Sequence, residues 1–152
     1  MKIREIEKTD IPRVADLLKE AWVSFSKKTD FVDDHRFDNS NAQEWLEKLV
    51  ESDGNCFVAT ENDVLMGAIT FSVKDSHIFC HPKHVYIWDV IVSQDARRKG
   101  VGLALEKEVE KYAVAHSIHL IIGEIWAYND ASRNMMKKLG RTMMYEVWGK
   151  EL

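Results

Sequence analysis

Within residues 84–102 the hydrophobic pattern changes from strand-like to helical across one short basic loop. A chain of this kind is thereby confined to folds in which a central strand runs straight into a helix. Residues 84–92, ending Trp88-Asp89-Val90-Ile91-Val92, are rich in β-branched and aromatic side chains and read as that strand. From 101 to 116 the apolar positions Leu105, Val109, Tyr112 and Ala113 recur at helical spacing and predict an inward helix face. Between them lies Ser93-Gln94-Asp95-Ala96-Arg97-Arg98-Lys99-Gly100-Val101-Gly102.

A loop of this composition suits an anion. Glycines bring the backbone close to a phosphate with no Cβ in the way, and a helix N-terminus offers unpaired N–H groups and about half a positive charge. Arg97, Arg98 and Lys99 add three cations. The Walker A spacing requires Gly-Lys-Ser/Thr, and a dinucleotide fingerprint requires a third glycine; the loop has neither, which argues against ATP and NAD.

The flanking segments predict a mixed fold. Residues 1–5 alternate as a short strand, and Thr9 or Asp10 is placed to cap a helix with Pro12 in its first turn and the stripe Ile11, Val14, Leu17, Leu18, Ala21, Trp22 and Phe25. A polar stretch at 26–39 precedes a second amphipathic helix carrying Trp45, Leu46, Leu49 and Val50, ended by Asp53-Gly54. Strands at 56–60 and 64–73, joined by Glu61-Asn62-Asp63, predict an antiparallel hairpin, with Gly67 hinting at a bulge. After the helix come a strand at 119–125, a short helix at 130–139 stopped by Gly140, and a last strand at 142–148. The predicted order, βααβββαβαβ, implies an α/β (α+β mixed) domain: a mixed, mostly antiparallel sheet with helices on both faces. At 152 residues, 45% of them apolar, residues 1–152 are expected to form a single domain.

A net charge of −4 provides no overall attraction to nucleic acid or to an anionic membrane, so any anion site must be local. The only cysteines are Cys56 and Cys80, and the N-terminus alternates charges rather than resembling a secretory signal. A cytoplasmic setting is the expectation.

The arrangement Arg97-x-x-Gly100-x-Gly102 after Val90-Ile91-Val92 resembles the coenzyme A loop of the GCN5-related N-acetyltransferases, the GNAT superfamily. The order of elements, with Asn129 ahead of a short helix ending Lys138-Leu139-Gly140, extends the resemblance over essentially the whole chain. It implies a sheet whose central strands splay apart and a co-substrate, acetyl-coenzyme A, with no metal. The amides of Arg98, Lys99, Gly100, Val101 and Gly102 would hold the pyrophosphate, Arg97 would add charge, Val90, Ile91 and Val92 would present backbone groups to the pantetheine arm, and Asn129 would contact the cofactor's far arm. The implied activity is N-acetyl transfer to a primary amine of a small molecule or peptide, by direct attack in a ternary complex.

Such transfer needs a base, a polarised carbonyl and an acid for the departing thiolate. Asp89, expected to share a strand face with Val85, Ile87 and Ile91, is one candidate base, with a paired structural carboxylate as the alternative. Glu124, at a strand end, is the second base candidate, with a solvated charge as its alternative. The resemblance implies an acidic tyrosine at position 136, where this chain has Met136. Tyr145 or Tyr128, a water, or a thiolate that leaves charged would then take its place. The same departure motivates a different reading, a coenzyme A-binding module without catalysis.

Other features are weaker. His77, Cys80, His81 and His84 are ligand types without a recognised zinc spacing, and read as a polar loop. Asp30, Asp33, Asp34 and Asp38 would attract a cationic amine or polyamine if they border the acceptor pocket. Trp126 and Trp148 are candidates for pairing subunits in a homodimer. A cysteine-based covalent route lacks a base that sequence can place beside either thiol.

Overall fold

The computed structural model describes residues 1–29, 39–52 and 54–150. Its elements are β1 (Lys2–Glu5), α1 (Ile11–Ser26), α2 (Asn39–Glu51), β2 (Gly54–Glu61), β3 (Val64–Asp75), β4 (Lys83–Val92), α3 (Val101–Ala115), β5 (Ile121–Gly123) and α4 (Asp130–Lys138). Short 3₁₀ turns precede α1 and α3. The acidic stretch with Asp30, Asp33, Asp34 and Asp38, and Asp53, lie outside the described residues.

One five-stranded sheet runs in the order β1-β2-β3-β4-β5, antiparallel throughout except for the parallel β4–β5 pair. Its two faces are sealed differently. Ile69, Phe71, Val85 and Ile87 pack under Val101, Leu105, Val109 and Ala113 of α3, while Val58, Ala68 and Ile91 pack under Val14 and Leu18 of α1 and Leu46 of α2. The amphipathic stripes read from the sequence thus account for the layering.

Two irregularities shape the sheet. Opposite Ala59 and Thr60, Met66 is an extra residue in β3 beside Gly67. A Cβ on Gly67 would lie 2.6 Å from the Ile91 carbonyl oxygen, so glycine lets β4 close against β3. In β4, Thr70 pairs with Asp89 but Phe71 pairs with Ile87, leaving Trp88 as the extra residue. A single inserted residue exchanges the two faces of the strand beyond it. Asp89 consequently does not share a face with Val85 and Ile87, as the uninterrupted alternation predicts; it lies with Ile91 on the α1–α2 side.

Two local expectations are corrected. Asp10 begins α1 but makes no side-chain cap on it; its carboxylate accepts from Arg4 Nη1 at 2.6 Å, Arg4 Nη2 at 3.1 Å and the Glu7 amide at 2.9 Å, all from the chain before the helix. No strand forms at 142–148. A strand needs a ladder partner, and β5, expected over 119–125, pairs only at 121–123. Gly140, at φ +71°, ends α4, and residues 141–150 form no strand. Met143 and Val147 are left 74% and 84% exposed.

Arg141 is held by α3. Its Nη2 donates to Glu106 Oε2 at 2.6 Å, and Glu106 is 1% exposed. Burial raises the Glu106 pKa and the Arg141 guanidinium works against that rise. Removing one partner of a buried pair leaves an uncompensated charge. Arg141→Ala is therefore expected to destabilise the fold by about 3 kcal/mol in urea unfolding, with Glu106→Gln in the Arg141→Ala background recovering part of the loss.

Candidate functional site

The basic loop starts from a pinned point. Ala96, 3% exposed, anchors the 3₁₀ turn, and Arg97 Nε reaches back to the Val92 carbonyl at 3.4 Å. The chain then takes two left-handed steps, Arg98 at φ +63° and Gly100 at φ +79°. Alternating handedness turns successive amides toward one concavity, a shape that binds anions. The left-handed state is strained for arginine and free for glycine. Among the described residues, the Arg98 and Gly100 amides have no backbone partner, and those of Val101, Gly102 and Leu103 are orphaned as the first turn of α3. Arg97, Arg98 and Lys99 are exposed around this cradle. It fits a pyrophosphate by both shape and charge.

Gly102 serves packing as well. A Cβ there would lie 3.1 Å from Met135 Sδ, so glycine lets α4 close on the start of α3. Asn129 caps α4, its Oδ1 accepting from the Ser132 amide at 3.1 Å, which leaves its side-chain NH₂ available.

Beside the loop, the sheet opens. Strands β4 and β5 pair from Val85↔Ile121 to Ile87↔Gly123 and no further, while β4 continues to Val92. Beyond Ile87, β4 has no strand neighbour on its β5 side: the backbone groups of Val90 face the gap, those of Ile91 face β3, and the Val92 carbonyl accepts from Arg97 Nε. Val90 and Val92 turn their side chains to the α3 layer, and Ile91 turns to the α1–α2 layer. This is the splayed gap that the resemblance implies.

Asp89 and Glu124 sit at the mouth of the gap. Burial pushes the Asp89 carboxyl up to about 6, with the Thr70 hydroxyl opposing the rise. Thr70 itself is fully buried, and its Oγ1 has no well-formed hydrogen bond. Glu124 is exposed, and Tyr145 Oη donates to its Oε1 at 3.5 Å. Tyr86, which sequence reading passed over as an ordinary strand residue, joins them: burial, then the neighbouring Glu124 carboxylate, push its hydroxyl up to about 12. The bulge makes Tyr86, Trp88 and Asp89 share a face, a placement that two-residue alternation could not give.

The acid position is occupied by packing. Met136 Sδ accepts from Arg141 Nη1 at 3.4 Å, and the Met136 carbonyl accepts the Arg141 amide at 3.0 Å. Tyr128 is different. Its ring stacks on Trp126, approaches Phe25 of α1 and lies under Lys28 Nζ, while its buried hydroxyl has no partner. Burial raises its pKa.

The remaining candidates do not converge. His84 is buried and bonds the Pro82 carbonyl through Nδ1 at 2.9 Å, and His81 faces His119. Among the described residues, no group of three or more His, Cys, Asp or Glu side chains could hold a metal ion. Cys56 is buried in the α1–α2 layer, its thiol pushed up to about 12 by desolvation, and Cys80 is exposed. No described helix is long and apolar enough to cross a membrane.

The model of the Acetyltransferase (GNAT) family matches residues 11–140. An L-2,4-diaminobutyric acid acetyltransferase of Halalkalibacterium halodurans is 27% identical over 89 residues, 57% of this chain and 43% of that protein, so the match spans less than half of the relative's length. Among solved structures, the tetramutant of the BH1408 protein from Bacillus halodurans superposes with a TM-score of 0.86 at 19% identity, over 100% of both chains. The aminoglycoside N-acetyltransferase AAC(6')-Iy in complex with CoA gives a TM-score of 0.80 at 17% identity, covering 99% of this chain and 93% of that one. These structures share the fold.

The raised Asp89 carboxyl carries a stability cost with a definite sign. A folded-state pKa above the unfolded value means that stability falls as pH rises from the usual carboxylate range to about 6. Asp89→Asn is expected to melt higher than the parent at pH 8, with the gain shrinking toward zero at pH 4; an equal gain at both would show that the charge is not the cause.

Proposed function

The chain belongs to the acetyltransferase (GNAT) family, and on that premise we propose that it transfers acetyl from acetyl-coenzyme A to a primary amine of a small cationic acceptor by direct attack in a ternary complex. The observation that carries the reading is the gap between β4 and β5, which opens directly beside the left-handed cradle of Arg98 and Gly100. The relative's diaminobutyric acid and the neighbour's aminoglycoside are both amines, which supports an amine acceptor.

In this reading the orphaned amides of Arg98, Gly100, Val101 and Gly102 bind the pyrophosphate, and Arg97, Arg98 and Lys99 neutralise it. The gap-facing backbone of Val90 and the Val92 amide orient the pantetheine arm, the backbone of Ile91 being turned to β3, and the free NH₂ of Asn129 contacts the far arm. When bound, the co-substrate supplies an activated acyl carbon. Glu124 holds the acceptor ammonium, solvent takes its first proton to leave a neutral amine, and Asp89 takes the second as the nitrogen bonds that carbon. The C–S bond breaks, and the thiolate takes a proton from a tyrosine. Tyr145, already bonded to Glu124, and Tyr128, with its free buried hydroxyl, are the candidate donors. Cys56 is unsuited to covalent transfer, since a thiol at about 12 is almost wholly protonated at neutral pH.

The second reading, a coenzyme A-binding module without catalysis, draws on Met136, which cannot donate a proton. Thiol release from acetyl-coenzyme A over a panel of amines decides between the two. The segment at 142–148, with strand alternation and exposed Met143, Val147 and Trp148, supports pairing with β5 of a second copy. Sedimentation should then show a homodimer that truncation after Arg141 converts to monomer.

Gly100→Val is expected to weaken coenzyme A binding at least tenfold by calorimetry, because valine at φ +79° is strained and closes the cradle. Unchanged affinity would refute this placement of the pyrophosphate. For catalysis, kcat/KM should rise with pH through about 6 as Asp89 ionises, and Asp89→Asn should lower it about a hundredfold and abolish that limb. Tyr145→Phe and Tyr128→Phe identify the acid by which one lowers kcat.

A further inference from the structure

A lone cation stands on the acceptor side of the gap. Lys74, on β3, is half-buried and aims its Nζ at two rings of β4, 3.9 Å from the Trp88 centroid and 4.6 Å from the Tyr86 centroid. These rings are fixed: they meet edge to face at 4.7 Å, and Trp88 Nε1 donates to Ser72 Oγ at 3.0 Å. Lys74, Ser72, Tyr86 and Trp88 share the sheet face on which Asp89 lies, and Asp89 follows Trp88 in the chain. Among the described residues no carboxylate pairs with Lys74.

The two kinds of charge on this face ask for different things. Asp89 and Glu124 favour a cationic group, whereas Lys74 opposes a second cation above Trp88 and offers up to three donors to an anion. An ammonium resting on aromatic faces is held less tightly than one bonded to a carboxylate, so an incoming anion can recruit it. A purely cationic polyamine would satisfy the carboxylates and meet repulsion from Lys74.

Resting on the transferase reading above, we infer that Lys74 binds a carboxylate of the acceptor, and that the acceptor is a diamino acid rather than a plain diamine. Tyr86 and Trp88 hold the ammonium in readiness, Lys74 fixes the acceptor's carboxylate end, and the reacting amine is directed toward Asp89. Lys74 is a specificity-determining residue that touches substrate away from the reacting atoms. Lys28, over the Tyr128 ring at 5.5 Å and exposed, is the natural control for loss of one positive charge.

The test uses pairs that differ only in the carboxylate: ornithine against putrescine, and lysine against cadaverine, each assayed by coenzyme A thiol release with saturating acetyl-coenzyme A. The expected result is a kcat/KM at least tenfold higher for the amino acid of each pair. Lys74→Met should raise the amino-acid KM by about ten- to a hundredfold, the range for loss of a charged hydrogen bond, while lowering the diamine KM as the repulsion is removed. Lys74→Arg should restore part of the preference, and Lys28→Met should leave it intact. Equal use of both members by the parent enzyme, or equal losses for both in Lys74→Met, would overturn the assignment with the transferase reading standing. If neither series is acetylated while coenzyme A binds, this inference falls, and the transferase reading falls with it only when the wider amine panel releases no thiol either. A melting curve of Lys74→Met separates a specificity effect from misfolding.

Discussion

The register shift opposite Trp88 is the constraint on which the rest of the molecule's chemistry depends. Up to Ile87, β4 is an ordinary inner strand, antiparallel to β3 and parallel to β5. One extra residue then exchanges its faces, and Asp89 arrives on the α1–α2 side beside the buried Thr70 instead of under α3. Pairing with β5 stops just before that residue. A bulge increases local twist and ends pairing, so one irregularity both opens the gap and sets the carboxylate at its mouth. Without it Asp89 would be driven among Leu105 and Val109, where an unpaired charge is far costlier to bury.

Much of this was legible in the chain. The helical stripes of α1 and α3, the hairpin of β2 and β3, and the strand–loop–helix switch at 92–101 all follow from periodicity and turn residues, because each is decided by local pattern and burial on one face. The anion cradle was legible for a related reason: two glycines and three cations at a helix start leave few alternatives. What escaped was non-local. The bulge at Trp88 is a property of two strands in register, so neither strand announces it, and Tyr86 and Lys74 became candidates only once the faces were known. Likewise Asp10 carried a good cap signal, but Arg4 captured it through a contact across the strand–helix turn. The strand expected at 142–148 has the right alternation; alternation, however, specifies a face and not a partner.

The buried pair of Glu106 and Arg141 bears on Met136. Arg141 spends one Nη on Glu106 and the other on the Met136 sulfur, and its amide closes the turn after α4 on the Met136 carbonyl. A tyrosine at 136 would have to replace that sulfur contact or displace the guanidinium from Glu106. The end of α4 has thus been given to structure, fixing α4 against α3 through a charge pair and through Met135 on Gly102. Proton donation, if this region supplies it, falls to the hydroxyls nearby.

Charge distribution completes the account. An acidic chain repels a polyanion at long range, by a field that salt screens beyond about 8 Å at physiological ionic strength. Arg97, Arg98 and Lys99 act inside that distance, together with oriented amides that salt screens little, so a local site prevails over the net charge of −4. The other side is arranged in the opposite sense, with the carboxylates of Asp89 and Glu124 near Tyr86 and with Lys74 over the Tyr86 and Trp88 rings. Under the proposed function, two neighbouring regions of one gap would select by charge, one for phosphate and one for an ammonium. The bulge sets the face on which Asp89 lies, and the left-handed steps at Arg98 and Gly100 set the direction of the loop amides.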